Sequence, residues 1–204
     1  GGLVWRMARQ RGVQAILVTQ YCQTWGMFGL LNWLPSLISE QYRVPVDSLA
    51  AFTVLPYVVQ SVVGVMAGLL ADGMIARGVR VGTCRKLLQG VGMLGPAGFL
   101  VLAGRAPSAE SATVFFSLGL GLSALTLGGV SVNHLDIAPR NAGLVFGMGN
   151  TAGVAGGFVS VWMCGVIQQF TGSWPAVLWV LAAHYAAGAL AFLLLARDQP
   201  VPCD

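Results

Sequence analysis

Five long stretches of this chain contain no aspartate, glutamate, lysine or arginine. They cover residues 12–39, 48–71, 87–104, 111–133 and 141–196. At a rise of about 1.5 Å per residue, each of the first four is long enough to cross a hydrocarbon core of about 30 Å once, and the fifth can cross it twice. The pattern therefore predicts an all-α membrane protein with six transmembrane helices, which has membrane lipid as its surroundings.

The fifth stretch is divided by the segment QQFTGSWP at 168–175. Gly172 and Pro175 are residue types that end helices, and polar side chains fill the turn around them. We therefore expect one transmembrane domain over residues 1–204, with helices at about 15–39, 48–72, 87–104, 111–134, 143–167 and 176–196.

The composition excludes an ordinary soluble domain. Hydrophobic residues make up 56% of the 204 residues and charged residues only 9%, whereas a soluble domain carries about 25% charged residues. The net charge of +4 does not indicate a nucleic-acid partner, because the basic residues lie in short loops between apolar segments and are better explained as topology signals.

The basic residues also predict an orientation. In a six-pass topology nine of them fall on one side, namely Arg6, Arg9, Arg11, Arg77, Arg80, Arg85, Lys86, Arg140 and Arg197, and only Arg43 and Arg105 fall on the other. Because lysine and arginine concentrate in loops on the cytoplasmic side, both ends of the chain are expected to face the cytoplasm, or the stroma in a plastid.

The four cysteines show no paired spacing, and two of them lie within predicted spans. Cys22, Cys84, Cys164 and Cys203 are therefore expected to be free thiols, with neither a disulfide framework nor a metal site. The chain starts at Gly1 without an initiator methionine, so we expect a fragment of a longer protein.

Several polar side chains fall inside the apolar spans. Gln23, Trp25 and Asn32 lie in the first span, Tyr57 in the second and Asn150 in the fifth. Polar groups that face lipid are costly, so these residues are expected to face a watery cavity or to form hydrogen bonds with neighbouring helices. Their groups are neutral, and the spans carry no deep lysine or arginine that would pair with an anion.

The segment SVNHLDIAPRNAG, at the end of the fourth span, holds the densest group of polar residues. Asn133, His134, Asp136 and Arg140 lie within it. One histidine and one carboxylate are too few ligands for zinc, and no nucleophile accompanies them, so a membrane enzyme is disfavoured and no catalytic residue is expected. His134 is expected either to carry a coupled proton or to belong to a polar cluster that caps two helices.

Two further patterns concern packing. Asp72 at the end of the second span precedes Arg77 and Arg85, which predicts a salt-bridge cluster on the cytoplasmic side. In the fifth span Gly149, Gly153 and Gly157 recur every four residues, and this small-residue stripe predicts a closely packed neighbouring helix.

These motifs resemble a known family. The segments are WGMFGLLNWLPSL at 25–37, GLLADGMIARGV with TCRKLLQGVGMLGPAGFL at 68–99, NHLDIAPRNAG at 133–143 and GNTAGVAGG at 149–157. They resemble the major facilitator superfamily, and within it the anion transporters related to sialin and the vesicular glutamate transporters, with the plastid-type phosphate transporters of plants most similar.

The resemblance implies a fold and a location. Members have twelve helices in two halves, and this chain is similar to the second half, so the amino-terminal half is an expected partner. The resemblance also implies that Asp72, Arg77 and Arg85 form a cytoplasmic gate latch and that the first and fourth spans line the cavity. A plastid envelope or thylakoid membrane is implied, with a vesicle or the plasma membrane as alternatives.

The resemblance also implies a function. It is secondary transport of inorganic phosphate or a related organic anion by alternating access, coupled to a sodium ion or a proton and without a cofactor. Glutamate-carrying relatives have an arginine where this chain has Gln23, which disfavours glutamate as the substrate. The alternative is a non-transporting six-helix protein that assembles with partner subunits through its bare glycine face.

Overall fold

The computed structural model describes residues 2–202, and this part of the chain consists of helices and short connections. The α-helices are α1 (Gly2–Ala8), α2 (Arg11–Tyr42), α3 (Leu49–Ala76), α4 (Val81–Ala103), α5 (Ala109–Ser123), α6 (Val130–Ile137), α7 (Ala142–Thr171) and α8 (Trp174–Leu195). Short 3₁₀ turns precede α3 and connect α5 to α6. The predicted all-α fold is confirmed for the described residues.

Five segments of the described chain are long and apolar enough to cross a membrane. They are Val46–Ala76, Val81–Ala103, Ala109–Ile137, Ala142–Thr171 and Trp174–Leu195. Helix α2 has 32 residues and is therefore about 48 Å long, but its glutamines and asparagine make it less apolar than the other five. The five spans support the predicted multi-pass membrane protein. A sixth span formed by α2 remains a prediction.

The helices pack in the order α7, α2, α8, α4, α5, α3, each against the next. The main apolar core lies between α2, α4, α5 and α8 and includes Leu34, Phe116, Leu181 and Tyr185. A second core joins the start of α2 to the end of α6, the start of α7 and the end of α8. We call this the basic end of the bundle, because the nine basic residues assigned to one side all lie in the segments that meet there.

The glycine stripe of α7 packs against α2, as the sequence predicts. A Cβ atom built at Gly149 would lie 3.0 Å from Ile16 Cγ2, and one built at Gly153 would lie 2.9 Å from Thr24 Oγ1. The small residues thus allow the two backbones to approach closely. Because α2 of the same chain covers this glycine face, the face is not available to a partner subunit. It therefore no longer supports the non-transporting alternative.

The turn between the last two helices lies where the sequence places it. Gly172 ends α7 in the left-handed conformation, with φ of 61°, which glycine adopts without steric cost. Ser173 then caps α8 by accepting a hydrogen bond from the backbone N–H of Ala176. The chain reverses direction here, so that α7 and α8 cross the bundle in opposite directions.

The expected fourth span, 111–134, is not one continuous helix. Helix α5 ends at Ser123, residues 124–128 form a 3₁₀ turn, and α6 begins at Val130 after Gly128 and Gly129. Ser123 Oγ and Thr126 Oγ1 both donate to backbone carbonyls three residues earlier, at 2.7 Å. Such bonds and a glycine pair tighten and then interrupt an α-helix.

The three described cysteines are free and buried. Cys22 is 6% exposed, and Cys84 and Cys164 are fully buried; Cys203 lies outside the described residues. In a Cys203→Ser variant in detergent, we expect less than about a tenth of the remaining thiols to react with a maleimide until the protein is denatured, because buried thiols are inert. Mass spectrometry would count the labels, and rapid labelling of Cys84 or Cys164 in the folded protein would contradict this packing.

Candidate substrate cavity

A cavity of about 570 Å³ opens beside the break between α5 and α6. Helices α2, α3, α5 and α8 contribute to its wall. The lining residues are Gln23, Met27, Gln60, Ser61, Gly64, Val65, Ser123, Ala124, Thr126, Leu127 and Tyr185. All of them are uncharged, so the wall combines apolar side chains with neutral hydrogen-bonding groups.

Two glutamines from different helices bond to the broken segment. Gln23 Nε2 of α2 donates to Thr126 Oγ1 at 2.7 Å, and Gln60 Nε2 of α3 donates to Ser123 Oγ at 3.1 Å. Each amide nitrogen is thus held by a hydroxyl of the break, which fixes the side chain at the cavity wall. Gln60 Nε2 also lies 3.9 Å from Met27 Sδ, a weak acceptor, whereas the second donor position of Gln23 remains for a bound solute.

A third glutamine holds the break itself. Gln89 on α4 is fully buried, and its Oε1 accepts the backbone N–H of Val130 at 2.8 Å. Its Nε2 approaches Gln23 Oε1 at 3.5 Å. The Gln89 side chain therefore replaces a backbone acceptor that the interrupted helix lacks, which is how non-helical backbone is tolerated at membrane depth. A Cβ atom at Gly129 would collide with Gln89, so only glycine fits there.

Two tyrosine hydroxyls near the cavity are buried without a hydrogen-bond partner among residues 2–202. They belong to Tyr57 on α3 and Tyr185 on α8, and Tyr185 also lines the cavity. Buried polar atoms normally have a partner. Tyr185 therefore places an unpaired hydroxyl group at the cavity wall, whereas Tyr57 is not among the lining residues.

The structure brings only Gln23 of the predicted cavity residues to this wall. Trp25 lies in the core, 2% exposed, and stacks on His184 of α8 with ring centroids 3.8 Å apart. Asn32 lines a separate apolar groove of about 490 Å³ between α2 and α7, and Asn150 is exposed on α7. Tyr57 is half-buried on α3. The transport roles of these residues remain predictions.

At the basic end the structure corrects the pairing expected for the latch. Arg85 Nε lies 2.9 Å from Asp136 Oδ2, which makes a salt bridge, and Arg85 Nη1 donates to the carbonyl of Gly128. Asp72 and Arg77 are exposed and form no salt bridge with each other or with Arg85. Arg85 pairs with Asp136 because the first turn of α4 lies against α6, whereas Asp72 lies on an exposed part of α3. A gating role for Asp72 and Arg77 remains a prediction.

Asn133 belongs to the same group of residues. Its Nδ2 donates to the carbonyl of Arg197 at 3.0 Å and approaches Asp136 Oδ2 at 3.4 Å. Through Asp136 and Asn133, the group ties α4, α6 and the segment after α8 together. No side chain at the N-cap of α6 or α7 makes a capping hydrogen bond, so the expected capping cluster stays a prediction. His134 instead packs near Phe146, with ring centroids 5.2 Å apart, and Arg140 is exposed before α7. A proton-carrying role for His134 is not tested by this arrangement.

Most of the cavity wall is not predicted from the sequence. Gln60, Ser123 and Thr126 line the wall and Gln89 holds the break, but none of them is among the predicted site residues. Gln60 is a glutamine inside an otherwise apolar span, which is the same signal that identified Gln23. The serine and threonine gave a weaker signal, since these residues also occur in membrane helices without a ligand role.

Comparison with known proteins agrees with this picture. The chain is 34% identical over 189 residues to a probable chloroplastic anion transporter 1 of Oryza sativa subsp. japonica, covering 93% of this chain and 36% of that protein. It is 35% identical over 196 residues to a human voltage-gated purine nucleotide uniporter, covering 96% of this chain and 44% of that protein. This chain is a homologue of anion transporters.

A third relative is a chloroplastic sodium-dependent phosphate transport protein 1 of Arabidopsis thaliana. It is 30% identical over 198 residues, which cover 97% of this chain and 38% of that protein. This chain thus spans between about a third and less than half of the length of the curated relatives it matches. No protein-family model matches it. The family resemblance inferred from the sequence motifs is confirmed.

Proposed function

We propose that this chain forms one half of a secondary transporter for inorganic phosphate or a related organic anion, and that it works by alternating access without covalent chemistry. The observation that carries the proposal is the uncharged cavity beside a broken helix, in which neutral hydrogen-bonding groups are set among apolar side chains. In transporters, interrupted helices commonly contribute to the substrate site.

The cavity wall supports an anion site that is only half formed by this chain. Gln23, Gln60 and Tyr185 offer neutral donors, each of which contributes about 1 kcal/mol to binding. An anion at membrane depth also needs a positive partner. We therefore propose that the rest of the transporter supplies the cation and that this half orients the anion and its uncharged substituents.

Exposed apolar side chains on two helices support a missing neighbour. Val65 of α3 is 74% exposed, and Phe158 and Phe170 of α7 are 82% and 83% exposed. In the complete transporter, the other half would cover part of these surfaces and lipid the remainder. The chloroplastic names of two relatives support a plastid membrane, and a sodium ion or proton gradient would drive uptake.

Uptake into liposomes tests the cavity. We expect Gln60→Leu, in the protein that carries this chain, to lower the initial rate of labelled anion uptake by about tenfold, because the variant removes a donor and leaves Ser123 Oγ without its amide partner. Phosphate, ascorbate and a purine nucleotide would be assayed separately under a sodium gradient and under a pH gradient.

Gln169→Leu is the matched control, since Gln169 is exposed near the end of α7 and should leave the rate unchanged. Uptake of none of the three anions by the unmodified protein would contradict the proposed function. Normal uptake by the Gln60→Leu variant would instead remove this cavity from the transport path.

A further inference from the structure

A second pocket lies at the basic end, away from the candidate substrate cavity. Its volume is about 260 Å³, and it lies between the first turn of α4, the end of α6 and the segment that follows α8. Its wall includes Arg80, Arg85, Lys86, Asn133 and Arg197. Nothing in the proposed transport of an anion through the bundle uses this pocket.

The pocket carries a net positive charge that its own residues do not neutralise. Arg85 is paired with Asp136, and Lys86 Nζ donates to the carbonyl of Leu193 at 2.9 Å. Arg80 and Arg197 are exposed at the rim, and Asp198 is the single acidic residue in the wall. Two guanidinium groups and an ammonium group therefore face one carboxylate, an arrangement that favours an anion.

The first turn of α4 adds neutral donors to this wall. Gly82 and Thr83 line the pocket, and the N-cap residue Arg80 makes no capping hydrogen bond through its side chain. The Asp198 carboxylate lies beside this turn, since a Cβ atom built at Gly82 would be 2.5 Å from Asp198 Oδ2. The first N–H groups of an α-helix have no partner within the helix, and they stabilise phosphate groups.

Asn133 supplies an independent indication of a ligand. The side chain is fully buried, and its Oδ1 has no hydrogen-bond partner among residues 2–202. Its Nδ2 faces two acceptors, the Arg197 carbonyl and Asp136, which fixes the orientation of the amide. Asn133 also lines the pocket, so this unpartnered acceptor is the group that a hydrogen-bond donor entering there, such as a hydroxyl, would satisfy.

We propose that this pocket binds the phosphate of an anionic phospholipid whose headgroup carries a hydroxyl group, with the phosphate at Arg80, Lys86 and Arg197 and the hydroxyl at Asn133. Basic pockets between transmembrane helices on the cytoplasmic side bind such headgroups. Exposed Leu87 and Leu194 lie one residue from Lys86 and three from Arg197, which leaves apolar surface beside the pocket for acyl chains. A soluble phosphorylated polyol shares the headgroup chemistry but would not use this surface.

Native mass spectrometry of the detergent-purified protein that carries this chain tests the proposal without any transport assay. The probes are phosphatidylglycerol, phosphatidylcholine, phosphatidylmethanol and sn-glycerol 3-phosphate. We expect one phosphatidylglycerol to be retained, about fivefold weaker retention of phosphatidylmethanol because it lacks the hydroxyl donor, and no displacement by millimolar glycerol phosphate.

The variant Arg80→Gln/Arg197→Gln is expected to weaken phosphatidylglycerol retention by at least about tenfold. Both side chains are exposed, so the fold should tolerate the change. Arg6→Gln, a charge removal at the same end but outside the pocket, is the matched control and should bind normally.

Each outcome decides a part of the proposal. Binding of glycerol phosphate in place of the lipid would assign the pocket to a soluble phosphate and overturn the lipid source. Equal retention of phosphatidylmethanol would overturn the role of Asn133. Equal retention of phosphatidylcholine, or an unchanged affinity in the double variant, would overturn the site.

Discussion

Replacing Gly156 with leucine is expected to lower the unfolding temperature of the protein by about 10 °C or to prevent its folding. A Cβ atom at this position would lie 2.5 Å from the backbone oxygen of Tyr21 and 3.1 Å from its carbonyl carbon. Overpacking costs about 1–3 kcal/mol where side chains can move. Here the obstacle is backbone, so α2 and α7 must separate, and we expect the upper end of that range or more. For a domain of this size, each kcal/mol shifts the midpoint by about 2–4 °C.

Gly147→Leu is the matched control for this test. Gly147 lies on the same helix, and nothing within 4 Å would meet an added Cβ atom. Thermal unfolding in detergent, followed by fluorescence, should show a large loss for the Gly156 variant and almost none for the Gly147 variant. Equal midpoints for the two variants would show that α2 and α7 do not pack closely at Gly156.

Replacing Arg85 with methionine is expected to destabilise the protein by about 3–5 kcal/mol, because it leaves the Asp136 carboxylate without its cationic partner in a mostly buried site. The two side chains are only 13% and 16% exposed. Arg77→Met is the matched control. It removes a charge from an exposed arginine in the loop between α3 and α4 that forms no salt bridge with Asp72 or Asp136, and it should change stability by less than about 0.5 kcal/mol.

The double variant Arg85→Met/Asp136→Leu separates the charge effect from a packing effect. If the unpaired carboxylate causes the loss, removing it as well should restore most of the stability, since a buried pair is often replaced by apolar residues at little cost. Denaturant titration of the unmodified protein, the single variants Arg85→Met and Asp136→Leu, and the double variant gives the coupling between the two positions. A double variant that is no more stable than Arg85→Met would assign the loss to packing around Arg85.

The helical architecture could be predicted because its signals are local. The absence of charge over the length of a span and the clustering of basic residues in loops are read directly along the chain. The glycine stripe of α7 was equally informative, since small residues every four positions place a bare face toward a neighbour. Gly172 marked the turn for a similarly local reason.

The site was less predictable because its contacts join distant segments. Arg85 and Asp136 are 51 residues apart and Gln60 and Ser123 are 63 apart, so neither pair has a local signature. The break after Ser123 depends on Gln89 from another helix. Trp25 and Gln23 lie two positions apart on α2, and only the packed bundle shows that one stacks on His184 while the other reaches the cavity.

The join between α5 and α6 is the weakest point of the span Ala109–Ile137. The main-chain ladder is already interrupted there, and the amide of Val130 is held by the flexible side chain of Gln89 instead of by a rigid carbonyl. Bending at this point breaks that hydrogen bond but leaves both flanking helices wound. Helix α6 is also held further along, because Asn133 donates to the Arg197 carbonyl and the Ile137 carbonyl accepts the N–H of Val201. A movement of α6 at this join must therefore break those contacts or carry the segment after α8 with it.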